Sequence, residues 1–453
     1  MRYKLFSIPA ILALLMAGLS LQAQVLPDKY LQEAFVGNQV LQGKKITLEK
    51  SLIALKEARS LFLPSTWFEG TYTLSKGGRS IDIPVGDLMN PVYQTLNQLT
   101  NSNKFTSIGN VSEQLNPNNF YDARIKTTMP LINPDIRIGK AIKEQQIALE
   151  QNEIDLYKRE LVKEVKVAYI NYLMAGSAIT IYENALVVVN QNLKVNQSLL
   201  TNGKGLPAYV SRAESEVKQV EGQLQQARNE QQNARGYFNF LLNKTLTEDI
   251  IEAEGSISEQ LLNLQTGITA DVSAREELKS LSIASIINDR QLKMDKSFRT
   301  PRLNAFLDLA AQGFDFTVDH KAFFYLGGLQ VQVPIFKGKR NLYHIEQTEL
   351  DAKKIRSNTE LTQRQIELAA FVSRNNITSA QSSYLSAMAQ EEAARKYFKL
   401  IDKGYKEGVN SFIEFLDARN QLTNAQLQVN VSKYKILATL ADYERQTASY
   451  SFK

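Results

Sequence analysis

The sequence predicts a mixed fold in which membrane-type β-strands are joined to very long α-helices, the whole arrangement occurring twice. Two blocks share the order strand, strand, long helix, helix. Pro130 to Gly205 spans 75 residues and Pro334 to Gly408 spans 74. The proline-free stretches 136–202 and about 340–404 exceed an ordinary globular helix several-fold, so they read as coiled-coil-like elements.

The first segment, 1–23, reads as a secretory signal peptide. Arg2 and Lys4 form its basic region, Ile8 to Leu21 its apolar region, and Leu21-Gln22-Ala23 its cleavage site. The net charge of +6 falls to about +4 without Arg2 and Lys4, too weak and dispersed for nucleic acid. The chain has no cysteine, which excludes disulfides, a lipid-modified N-terminal Cys, a thiol nucleophile and a Cys-ligated metal. After residue 24 no apolar stretch is expected to reach the roughly 18 residues a spanning helix needs. An exported membrane protein of this kind would then enter a bilayer through strands closed into a barrel, in a two-membrane bacterium.

Residues 24–63 form a helix, chiefly 28–62, before the first strands at 64–132. In these strands Phe68, Gly70, Tyr72 and Leu74 oppose Glu69, Thr71 and Thr73, and Tyr121, Ala123, Ile125, Thr127 and Met129 oppose Asp122, Arg124, Lys126 and Thr128. The polar stretch at about 75–119 reads as an extended extracellular loop between them. The second strand pair lies at 300–337. There Leu303, Ala305, Leu307, Leu309 and Ala311 oppose Arg302, Asn304, Asp308 and Gln312, and Tyr325, Gly327, Leu329, Val331 and Val333 oppose Gln330 and Gln332. Period-two runs of about ten residues fit lipid outside and water inside. A half-buried soluble sheet alternates in the same way. Four strands cannot enclose a water-filled lumen, however, so several chains must contribute. Trp67, Phe68, Tyr72, Tyr121, Phe323, Phe324 and Tyr325 cluster near strand ends, as interface girdles do.

The remaining segments, 133–299 and 338–453, are helical. Residues 273–299 precede the third strand much as 28–62 precede the first, and about 244–272 reads as an equatorial belt. After Gly205 a heptad seam runs Val210, Ala213, Val217, Val220, Leu224, Ala227, Gln231, Ala234, Phe238, Leu241. After Gly408 one seam runs Phe415, Ala418, Leu422, Ala425, Val429, Ser432, Ile436, Thr439, Tyr443, and a second runs Ile413, Leu416, Thr423, Leu427, Leu437, Ala441. Two offset seams on one helix call for neighbours on both sides, as in a wall of helices.

Gly408-Val409-Asn410-Ser411-Phe412-Ile413-Glu414-Phe415-Leu416-Asp417-Ala418, with Leu422 and Ala425 downstream, resembles the second-repeat pattern of the TolC-like outer-membrane efflux protein family. Pro334-Ile335-Phe336-Lys337-Gly338 matches its strand-to-helix turn, and the resemblance covers essentially the whole chain after the leader. It implies a homotrimer, with a twelve-stranded barrel in outer-membrane lipid and an α-helical barrel forming a periplasmic tunnel. A periplasmic adaptor protein and an inner-membrane pump would be its partners, in a tripartite efflux or type I secretion system.

The resemblance also implies a gated aperture at the helix-hairpin tips, marked by Gly205-Leu206 and Gly408-Val409. Its acidic ring would be Glu414 and Asp417, with Glu214 matching Asp417 and Ser211 matching Glu414 in the first repeat. Some members close the aperture with an arginine at the position of Asn410 and an acid at that of Ser211; both charges are missing here. Tyr405 stands at the family's tyrosine position before the tip glycine. The repeat register carries an ambiguity, because the tip glycines align at an offset of 203 and the heptad seams at 205.

Nothing in the chain suggests an enzyme, a cofactor or a resident metal. His320 and His344 are the only histidines and neither has a partner at metal spacing. No phosphate loop or nucleophile elbow is present. The competing reading is a periplasmic coiled-coil scaffold or adaptor, which predicts one helical hairpin and a compact β domain instead of a duplicated unit.

Overall fold

The computed structural model describes residues 26–251 and 272–452. The leader and most of the belt at 244–272 lie outside the described residues. The chain divides into a strand unit, Ser51–Gln146 with Ile287–Ala352, and a helical unit made of the residues up to Lys50, Ile147–Ile286 and Lys353 onwards.

In the strand unit, β1 (Ser65–Thr73), β4 (Phe120–Ile132), β5 (Arg302–Phe314) and β6 (Phe323–Gln332) form one antiparallel sheet in the order β1-β4-β5-β6. Its register aligns Phe68, Ile125, Leu309 and Tyr325 in a single row across all four strands. Every member of that row is exposed, Tyr325 at 78%. On the opposite face Asp308 is buried at 4%, beside Arg124. A water-soluble sheet has the reverse preference, apolar in and charged out. β1 and β6 are the open edges.

The stretch 75–119 is more ordered than an extended loop. It holds a two-stranded sheet, β2 (Ser80–Ile83) with β3 (Val111–Gln114), and the helix α3 (Val85–Thr100). Its polar composition misled because asparagines here replace backbone pairing. Asn90 bonds both the N–H and the carbonyl of Ile108, and Asn97 does the same for Phe105.

The expected helix at 28–62 is two helices, α1 (Asp28–Gly37) and α2 (Gln39–Ser60). Asn38 interrupts them: its Oδ1 accepts the Leu41 N–H at 3.1 Å and its Nδ2 donates to the Leu241 carbonyl at 3.0 Å. Gly37 permits that approach, since a Cβ there would lie 2.4 Å from the Leu242 carbonyl oxygen. The long helices match expectation as α4 (Pro134–Thr201) and α7 (Arg340–Lys406), each followed by a partner, α5 (Pro207–Leu241) and α8 (Phe412–Thr447). The helix before the third strand is α6 (Glu276–Lys296).

One expectation is corrected by α4. It contains an 18-residue window of mean hydropathy 1.4, long and apolar enough to cross a membrane by length and composition. A hydropathy window ignores which face a residue occupies. Ile170 packs with residues of α7 and α8, and Ala185 and Val189 pack against Val217 and Val220 of α5, yet only 17% of that window is buried within one chain. The largest core cluster of the helical unit joins Tyr30, Leu31 and Leu41 to Leu161, Val165, Tyr169 and Phe238.

Candidate functional site

Both hairpin turns use the same device. At the second, Gly408 has φ +76°, its N–H bonds the Tyr405 carbonyl at 3.1 Å, and the Val409 N–H bonds the Gly404 carbonyl at 2.7 Å. At the first, Gly203 has φ +71°, its N–H bonds the Leu200 carbonyl at 3.0 Å, and the Lys204 N–H bonds the Leu199 carbonyl at 2.9 Å. This crossed pair is a Schellman stop, which needs a residue able to adopt positive φ. The structural counterpart of Gly408 is therefore Gly203, not Gly205, and the turns agree with the seam offset of 205. Under that register Arg212, not Glu214, stands opposite Asp417 in the repeat, and Tyr209, not Ser211, opposite Glu414. Gly205 keeps a steric role of its own, since a Cβ there would meet the Leu200 nitrogen at 2.6 Å. Leu206 is the residue preceding α5, and both it and Val409 are exposed.

α8 begins with a capping box. Ser411 Oγ accepts the Glu414 N–H at 3.2 Å, and Glu414 Oε2 accepts the Ser411 N–H at 2.6 Å. The S-x-x-E spelling of this cap is legible in the sequence as Ser411 and Glu414. The Ser411 N–H, then its hydroxyl, hold the Glu414 carboxyl below the usual glutamate range. Asp417, one turn on, accepts Gln421 Nε2 at 2.7 Å. Glu414, Asp417, Ser211 and Glu214 are all exposed in the single chain. Asn410 lies against Gly404, where a Cβ would come within 1.9 Å of its Oδ1.

Beneath the turns lies an apolar cluster of Ala213, Phe412, Phe415 and Leu416, with Tyr209, Phe398 and Tyr405 packed on it. Tyr405 and Phe415 rings are 5.1 Å apart and Tyr209 and Phe412 rings 5.3 Å. The Tyr405 hydroxyl reaches Asn196 Oδ1 of α4 at 3.3 Å, linking one hairpin to the other. Burial raises its pKa, with Asn196 and Asn192 acting in the opposite direction.

The most buried charges at the tips were missed in the sequence. Glu216 of α5 and Arg419 of α8 are 2% and 3% exposed, and Arg419 Nη2 donates to Glu216 Oε2 at 2.7 Å. Arg212 adds a contact to Glu216 Oε1 at 2.9 Å from the solvent side. A signal existed: Glu216 and Arg419 fall at the g and e positions of their heptad seams, where opposite charges pair in coiled coils.

Residues 289–443 match the sequence pattern of the family described as outer membrane efflux protein. No curated protein matches the sequence. Among solved structures, CusC shares 13% identity with a TM-score of 0.74, covering 93% of this chain and 91% of its own. A membrane protein from Pseudomonas aeruginosa shares 15% with a TM-score of 0.73, covering 94% and 93%. The CmeC outer membrane channel of Campylobacter jejuni shares 13% with a TM-score of 0.70, covering 93% and 85%. The chain therefore carries the outer membrane efflux protein pattern over residues 289–443 and, along nearly its whole length, the fold seen in CusC and the CmeC outer membrane channel.

Proposed function

We propose that this chain is the outer-membrane duct of a tripartite efflux or type I secretion system. Three copies would close the four-stranded sheets into a twelve-stranded barrel in outer-membrane lipid. Their helices would form a periplasmic tunnel reached through an adaptor protein and an inner-membrane pump. The observation that carries this reading is the inverted sheet: a continuous apolar row faces outward across four strands, a charge is buried behind it, and both edges are open. An open, lipid-like sheet edge demands closure by another strand. The same inversion counts against a soluble scaffold or adaptor.

The tips would be the aperture. Glu414 and Asp417, three residues apart on one helix face, would repeat threefold around it as an acidic ring. In the register that the turns support, Arg212 would temper that ring from the first repeat, and Glu214 would stand two residues further along α5. Tyr405, Asn410 and the Gly408-Val409 turn would shape the opening, as Gly203 to Leu206 would in the other hairpin. Purified protein placed in a planar lipid bilayer should conduct ions, and envelope fractionation should find it in the outer membrane, resistant to salt and carbonate. Extraction by carbonate with no conductance would overturn the reading.

A further inference from the structure

α3 is fixed along one side only. Gly86 is buried, and a Cβ there would lie 2.5 Å from the Ile108 carbonyl oxygen. Asn110 Nδ2 donates to the Asp87 carboxylate at 2.9 Å, Asn90 and Asn97 bond the backbone of Ile108 and Phe105, and the Tyr93 and Phe105 rings are 5.8 Å apart. These contacts turn the side bearing Gly86, Asn90 and Asn97 to the return segment 105–110. Val85, Leu88, Val92, Leu96 and Leu99 fall on the other side, in steps of three, four, four and three residues. Leu88, Val92 and Leu99 are 69%, 48% and 78% exposed.

Steps of three and four residues describe a seam for another helix, not for a sheet. One chain offers no such helix. The register pairs Ser65 with Thr128, Ile132 with Leu303 and Arg302 with Gln332, so one end of the sheet holds the starts of β1 and β5 and the ends of β4 and β6. α2, α4, α6 and α7 all join the strands at that end. The insert and the β5–β6 turn occupy the other end, where α3 is the only helix among the described residues. β1, which leads into the insert, is an open edge, and a copy paired with it brings its own α3 to the same end.

We propose that the α3 helices of the several chains pack on one another along Leu88, Val92 and Leu99, and so cap the outer mouth of the duct. The proposal rests on the several-chain duct above and adds a contact between copies that the sheet edges do not supply. In a three-chain assembly the stripes meet on the shared axis, so equivalent residues of neighbouring copies touch. Twelve tilted strands about 4.8 Å apart enclose a mouth about 25 Å across. Three helices, each about 10 Å wide, cover about 20 Å of it when packed together. The β2–β3 ribbon that carries α3 has four residues per strand and is about 13 Å long, enough to bridge rim to axis.

Val92→Cys tests the seam directly, because the chain has no cysteine of its own. Gln94→Cys, also exposed but turned away from the stripe, is the control. Outer-membrane vesicles carrying each variant are oxidised with copper phenanthroline and run on non-reducing gels. Val92→Cys should join copies in pairs that reductant separates, and Gln94→Cys should not. Leu99→Cys repeats the test two turns along. Leu88→Glu with Leu99→Glu should abolish the Val92→Cys bridge and, in the cysteine-free chain, raise conductance in a planar bilayer by uncovering the mouth. Absence of both bridges overturns the proposal, as does equal bridging at Gln94→Cys. A Val92→Cys chain that stays single yet resists a membrane-impermeant maleimide shows lipid or a different protein on the stripe, and overturns it too. Unchanged conductance in the glutamate variant overturns the cap. If the unmodified protein forms no pore, the duct reading itself fails; a pore without the bridge sinks this inference alone.

Discussion

The Glu414 carboxylate accepts the Ser411 N–H at 2.6 Å, so the residue that would line the aperture also starts the helix that carries it. Ser411→Ala removes one half of the capping box and should cost the first turn of α8 about 1 kcal/mol, read as faster hydrogen exchange across 412–418. The Ser411 N–H, then its hydroxyl, hold the Glu414 carboxyl below the usual glutamate range, so its contribution is complete above that range. It is lost only as pH falls through the lower, folded value. Exchange protection of this turn should therefore hold through the usual glutamate range and fail only as pH falls below it. Glu414→Gln with Asp417→Asn tests the ring while keeping an acceptor at the cap. Two like charges at 4 Å interact by about 4 kcal/mol at an effective dielectric near 20, against about 1 in water, so removing them should abolish cation preference and block by multivalent cations. Unchanged selectivity would make these acids ordinary surface groups. The sequence showed the acids and their spacing, since both lie in one short motif. It hid Glu216–Arg419, because that pair depends on two helices 203 residues apart meeting at matching heptad phases.

At the scale of elements, period and composition were sufficient where one face meets one environment. The four strands and both long helices lie within a few residues of their expected bounds, because alternation and proline-free length are local properties. Legibility failed where a single side chain substitutes for backbone geometry, as Asn38 does between α1 and α2 and as Asn90 and Asn97 do around α3. It failed again at the first tip, where Gly203 and Gly205 are two residues apart and only φ tells which one stops the helix. The sheet offers a direct test. In the proposed barrel Leu309→Lys would place a charge in the middle of the apolar row, where a cation at the bilayer midplane costs about 2–4 kcal/mol, so heat resistance on gels should fall. Gln330→Lys, on the opposite face of β6, should be tolerated. Gly37→Ala is expected to destabilise the helical unit by about 1–3 kcal/mol in thermal unfolding, because its Cβ meets backbone that cannot swing aside.

For the whole molecule the duplicated order of elements was the most legible feature, since it survives in spacing alone. What spacing could not supply is the chain number, which depends on edges and faces that one copy leaves open. The inserted segment bearing α3 follows β1 and precedes β4, so it belongs to one end of the sheet. In the proposed topology that end faces out, and a tag at Asn101 should be reached by antibody on intact cells. Access only after permeabilisation would invert the orientation. The central claim, that one chain's open sheet must be closed by others, is tested most directly by the mass of the detergent-extracted particle, measured by native mass spectrometry on protein that conducts in bilayers. Three chains per conducting particle is the predicted result; a conducting monomer would contradict it.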